Sequence, residues 1–220
     1  EWVIKKSIYF SELTKGRFDI TIGPLVSLWD IGSGEKNIPI QEKIEEKLNL
    51  INYKNILINE DNQTVYLKKE NMKIDLGSIA KGYVADRVRE ILKENNVKDA
   101  IINLGGNIYV MGKKQNDEKF KIGIQDPNDD KNKPLGYVKV SDKSVVTSGI
   151  YERYFVKNDK RYHHILDIDT GYPVRNNLAG ISIISDKSID GDGLSTSIFT
   201  LGLNDGLEKI EELENVEAIF

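Results

Sequence analysis

The chain has no cysteine, and its 220 residues include only two histidines, two methionines and five prolines. Disulfides, thiolate metal ligands and cysteine nucleophiles are therefore excluded, although a cysteine-free composition does not fix the compartment. No apolar run approaches the roughly 20 residues of a membrane-spanning helix, and no charged n-region with an apolar h-region opens the chain. Strong charge of one sign is missing as well: 31 Lys and Arg stand against 35 Asp and Glu, for a net charge of −4. Lysines are scattered among glutamates rather than gathered with aromatics into a basic patch, which argues against a nucleic-acid partner. There is no internal repeat.

What is present is an ordinary globular composition, 39% hydrophobic and 30% charged, in a length that suggests one domain over 1–220. The chain opens at Glu1 directly in an amphipathic pattern, so an upstream segment is expected to have been cleaved, excised or left out. The apolar spacing of Val3, Ile4, Ile8, Phe10 and Leu13 predicts a helix over Trp2–Leu13 that stops near Gly16. A short charged helix is expected at 40–49, then strands Asn55–Asn59 and Thr64–Lys68 around an Asp61-Asn62 turn, with Met72–Ile74 extending that sheet. The stripe Ile79, Ala80, Val84, Val88, Ile91 and Leu92 predicts a helix over Ser78–Glu94. Strands follow at Ala100–Asn103, Ile108–Met111, Phe120–Gln125, Tyr137–Val140, Val145–Thr147 and Ile181–Ser185, with Asp126–Pro134 as a polar excursion. Helices at Gly193–Leu201 and Asp205–Glu214 and a strand at Glu217–Phe220 close the reading. Consecutive strands with clustered helices indicate an α+β fold rather than βαβ alternation.

Four segments could carry chemistry. Asp192 and Thr196 sit four apart on a helix and offer a carboxylate and a hydroxyl on one face, the oxygen chemistry Mg²⁺ prefers; taken alone, an N-cap Asp with a helical Thr is the blander explanation of the pair. Asp75–Ser78 precedes a helix N-terminus where phosphates bind well, with Lys81 one turn in, but Asp75 or Ser78 could instead cap that helix. Gly105-Gly106 after a strand permits close ligand approach or a hairpin turn, and lacks the spacing of the dinucleotide fingerprint. His163 and His164 stand near Asp167 and Asp169. Either could be a general base, and in an extended segment they face opposite sides.

These segments, taken with others in order, resemble the FAD:protein FMN transferases, the ApbE-type flavin transferases. The resemblance rests on Gly16–Val26 with Leu28-Trp29, Asp75–Asp86, Leu104–Asn107, Ile124–Pro127, Thr147–Gly149 with Glu152–Phe155, His164–Pro173 and Asp192–Thr196. It implies a T-fold-like α+β architecture of mixed or antiparallel sheets with packed helices. It also implies an enzyme that takes FAD with Mg²⁺, transfers FMN to a Ser or Thr hydroxyl of a partner flavoprotein and releases AMP. Carried over by position, Asp192, the Thr196 hydroxyl and the Ser78 carbonyl would hold the metal. Arg17, Phe18, Asp19, Asp75, Lys81 and the backbone near Leu166 would contact FAD, and His164 would activate the acceptor hydroxyl. The family's setting is extracytoplasmic, tethered by an N-terminal signal or lipid anchor. The sequence departs from the family pattern in showing no segment before the first helix, where family members carry a flavin-contacting Met and Tyr. It also departs in having Asp167-Ile168 where Asp-Pro is usual. A flavin-binding or trafficking protein, an FAD pyrophosphatase without protein transfer, and a degenerate contact domain are the other readings.

Overall fold

A computed structural model describes residues 1–34, 36–128 and 133–220. In chain order it contains helices α1 (Trp2–Leu13), α2 (Gly23–Trp29) and α3 (Gln41–Leu48), strands β1 (Ile56–Asn59) and β2 (Thr64–Leu67), and helix α4 (Ala80–Glu94). Strands β3 (Ala100–Leu104), β4 (Asn107–Met111), β5 (Phe120–Gln125), β6 (Pro134–Val140), β7 (Lys143–Gly149), β8 (Tyr154–Lys157) and β9 (Lys160–His163) follow. The chain closes with β10 (Gly180–Ser185), α5 (Ser188–Leu201), α6 (Leu203–Glu211) and β11 (Glu217–Ile219). It is an α+β fold with antiparallel sheets, as expected. No helix among the described residues is long and apolar enough to cross a membrane.

The chain forms two compact units. The first comprises Glu1–Gly77 and Ile150–Asn177, and the second Ser78–Gly149 and Leu178–Phe220.

In the first unit α1 ends as its spacing predicts. The Gly16 N–H bonds to the Ser11 carbonyl at 2.7 Å and the Lys15 N–H to the Glu12 carbonyl at 3.0 Å, a Schellman closure with Lys15 at φ 52°. The core gathers Leu25, Trp29, Ile44, Phe155, Tyr162 and Leu166. Trp29 stacks on Tyr162, and its indole N–H donates to the Gly171 carbonyl at 2.7 Å. The segment expected to extend β1–β2 does otherwise: Lys73 makes a single parallel bridge to Ile22. Helix α2 and the hairpin β8–β9 are additions to the elements expected from the sequence. The hairpin turns on Asn158 and Asp159, both at positive φ, residues that tolerate the left-handed region.

In the second unit five strands pair antiparallel in the order β11-β10-β7-β4-β3. Alternation along β4 decides what covers each face. Val110, with Val145 of β7, packs against Ile122, Ile124 and Val140 of the β5–β6 hairpin. Tyr109 and Met111 point the other way and meet Ala85 of α4. Helix α5 shares that second face, where Gly191 lies close to Val146, Ser144 and Ser185. Gly105 and Gly106, both at positive φ, make the β3–β4 hairpin turn and leave the space beside them open. Positions 129–132 of the expected polar excursion lie outside the described residues.

Candidate active site

Helix α5 begins at Ser188, not near Gly193, so Asp192 lies in its second turn rather than at its cap. The local pattern does not show this start because the cap comes from elsewhere in the chain: Asp86 of α4 accepts the Ser188 and Ile189 N–H groups at 3.0 and 2.9 Å. The expected Asp75 or Ser78 cap of α4 is likewise absent. Ile79 stands at that position without a side-chain cap, and Asp75 Oδ1 instead accepts the Gly77 N–H. The Asp192 carboxylate serves the N-terminus of α4, accepting the Gly82 N–H at 2.8 Å.

Gly82 makes this approach possible. A Cβ there would overlap the Ser188 carbonyl and lie 2.6 Å from Ile189 Cα and 2.7 Å from Asp192 Cβ, closer than real contacts allow. Asp192 is only 4% exposed. Burial raises its pKa, opposed by the Gly82 N–H, the Lys81 charge and the Asn107 amide. The Asn107 nitrogen acts on the carboxylate while falling short of full hydrogen-bond geometry, and its oxygen accepts the Ser188 hydroxyl at 2.6 Å.

Thr196 stands one turn beyond Asp192 on the same face of α5, half-buried, with Oγ1 3.3 Å from Ser148 Oγ. Ser78 lies two residues before α4, and Lys81 is the second residue of that helix. The second unit thus brings the Asp192 carboxylate and Lys81 together at the N-terminus of α4, with Thr196 one turn further along α5. A buried carboxylate and a hydroxyl on adjacent turns suit a hard cation, which would compensate the charge that burial disfavours. Among the described residues no group of three or more carboxylates and histidines could hold a metal, so a cation here would rely on hydroxyl, carbonyl and substrate oxygens.

The first unit holds the remaining candidates. Asp75 joins the Arg17–Asp19 segment through its N–H, which donates to the Ile20 carbonyl at 2.8 Å. Arg17 is exposed, 3.9 Å from Asp169. Phe18 is buried edge-on against Phe10, so main chain is what it has to offer a ligand. Asp19 is buried, with its pKa raised by that burial. It accepts the Thr21 N–H and hydroxyl on Oδ1 and the Tyr53 N–H on Oδ2. Leu166 puts its side chain in the core and bridges Pro173 through its backbone.

The two histidines divide as strand geometry predicts. His163 is buried; its Nε2 faces the Val174 carbonyl at 2.9 Å, its Nδ1 accepts the Ile165 N–H, and burial lowers its pKa. His164 is half-buried, with Nδ1 3.2 Å from the Arg153 carbonyl. A carbonyl only accepts, so in the neutral ring this contact puts the proton on Nδ1 and the lone pair on Nε2.

The fold is α+β with antiparallel sheets, and the second unit carries a buried carboxylate where α4 and α5 cross. The ApbE family profile matches residues 2–220, and the chain belongs to the ApbE family. It is 41% identical over 203 residues to the FAD:protein FMN transferase of Klebsiella pneumoniae, covering 92% of this chain and 62% of that protein. To the FAD:protein FMN transferase of Treponema pallidum it is 34% identical, covering 99% of this chain and 64% of that protein. The chain therefore spans under two thirds of the length of these relatives. Among solved structures, the Thermotoga maritima ApbE protein superposes with a TM-score of 0.89 at 37% identity, covering 98% of this chain and 70% of that one. The flavin transferase ApbE of Vibrio cholerae gives 0.85 at 26% identity, covering 98% and 68%.

Proposed function

We propose that this chain is the core of a Mg²⁺-dependent FAD:protein FMN transferase. The observation that carries the reading is the buried Asp192 carboxylate at the α4 N-terminus, with the Thr196 hydroxyl one turn along the same face of α5, in a chain whose relatives bear that name. Phosphoryl transfer asks mainly for positioning and charge neutralisation. Asp192, Thr196 and the Ser78 carbonyl would hold Mg²⁺, which supplies charge neutralisation at the FAD pyrophosphate. Lys81 adds a cation in the first turn of α4, and Arg17, Phe18, Asp19, Asp75 and the Leu166 backbone are assigned to FAD.

In the reaction a Ser or Thr oxygen of the acceptor protein attacks the phosphorus on the FMN side of the pyrophosphate. The P–O bond to the AMP half breaks, and AMP leaves with the bonding electrons. His164 Nε2 takes the hydroxyl proton, the role its tautomer suits. The test is AMP release from FAD by the wild type and by Asp192→Asn, each with Mg²⁺ or EDTA. Release only by the wild type with Mg²⁺ supports the assignment; equal release by Asp192→Asn contradicts it.

A further inference from the structure

Two hydroxyls, of Ser148 and Ser195, link the Thr196 hydroxyl to the backbone of Asp192, and the hydrogens of all three can be assigned. Ser195 Oγ lies 2.9 Å from the Asp192 carbonyl, which only accepts, so the single Ser195 hydrogen is spent there. In the 2.8 Å contact between Ser148 and Ser195, Ser148 must then be the donor. Its hydrogen used, Ser148 can only accept from Thr196 at 3.3 Å. The chain runs one way, from Thr196 through Ser148 and Ser195 to the Asp192 carbonyl, and it turns the Thr196 hydrogen toward strand β7. Lone pairs, not the hydrogen, then occupy the other directions around Oγ1.

We propose that Ser148 is a positioning residue that presents Thr196 Oγ1 as a cation ligand by accepting its proton. A threonine hydroxyl binds a hard cation only through its lone pairs, and a hydrogen aimed at the cation would repel it. Ser148 shares with Ser144 and Val146 the face of β7 toward α5, so the strand fixes its place. The inference rests on the metal assignment above and concerns this chain's own residues.

The test is a double-mutant cycle read by calorimetric titration of the full chain with MgCl₂ and by Mn²⁺ paramagnetic resonance. Ser148→Ala and Thr196→Val should each weaken metal binding about fivefold, the size of one net hydrogen bond. The double variant should bind no more weakly than Thr196→Val alone, because Ser148 acts only through that hydroxyl. Ser195→Ala should also weaken binding, since it frees the Ser148 hydrogen to point at Thr196, and it carries the test if Ser148→Ala does not fold. Wild-type affinity in Ser148→Ala, or losses that add in the double variant, would overturn the proposal, as would a wild type that takes up neither metal. Metal binding that follows the cycle without AMP release from FAD would overturn the transferase reading and leave this inference standing.

Discussion

Asp86 and Asp192 cap each other's helices. Asp86, on α4, accepts the first two N–H groups of α5, while Asp192, on α5, accepts the third of α4. Each carboxylate is buried, each has its pKa raised by that burial, and each is drawn back down by the amides it accepts. The exchange holds two helix N-termini together and fixes Asp192 in one rotamer, and it makes a candidate metal ligand part of the packing. Asp86→Ala should therefore cost about 1–3 kcal/mol, leaving two buried amides unsatisfied, and should weaken Mg²⁺ binding without touching the metal. Urea denaturation and Mg²⁺ titration of the variant check both effects. An unchanged Mg²⁺ affinity would show that Asp192 keeps its place without its partner.

Gly82→Ala tests the same crossing sterically. Its methyl must displace backbone atoms of α5 rather than the end of a flexible side chain. The expected cost is about 1–3 kcal/mol of stability, together with loss of FAD-dependent AMP release. A wild-type thermal midpoint would mean that the helices can separate freely.

His163 provides the pH dependence. Burial holds its pKa below the ordinary value, so the native state binds fewer protons there than the unfolded chain. Its contribution is intact above the unfolded pKa of about 6.5 and is lost as pH falls toward the lowered native value. His163→Gln should flatten the slope of denaturation midpoint against pH below about 6.5. An equally steep slope in the variant would place the titrating group elsewhere.

The sequence disclosed what local interactions decide and missed what distant residues decide. Helix α1 was read to the residue because its apolar spacing and left-handed stop at Lys15 and Gly16 are local. The start of α5 was misplaced because its cap is Asp86, about a hundred positions earlier. Helix α2 spans only seven residues, too short for periodicity to show. The β8–β9 hairpin has its local signal in Asn158-Asp159, whereas the strand order of the sheet has no local signature. Of the site, the Asp192–Thr196 spacing was visible, whereas the hydroxyl chain through Ser148 needs the sheet to bring β7 against α5. Nothing local showed that Phe18 and Leu166 would face the core.

His164→Ala should lower FMN transfer by about 10²–10⁴, the usual worth of a general base, while changing FAD affinity by less than about threefold. Fluorescence titration with FAD and a transfer assay on the same sample separate the two. Equal losses of binding and transfer would make His164 a pocket residue.

The central claim is transfer of FMN to protein, and the direct measurement is the mass of a candidate flavoprotein acceptor after incubation with this chain and FAD. An FMN-sized gain on a Ser or Thr with Mg²⁺, and none with EDTA, is the expected result. AMP released while every acceptor hydroxyl stays unmodified would contradict it.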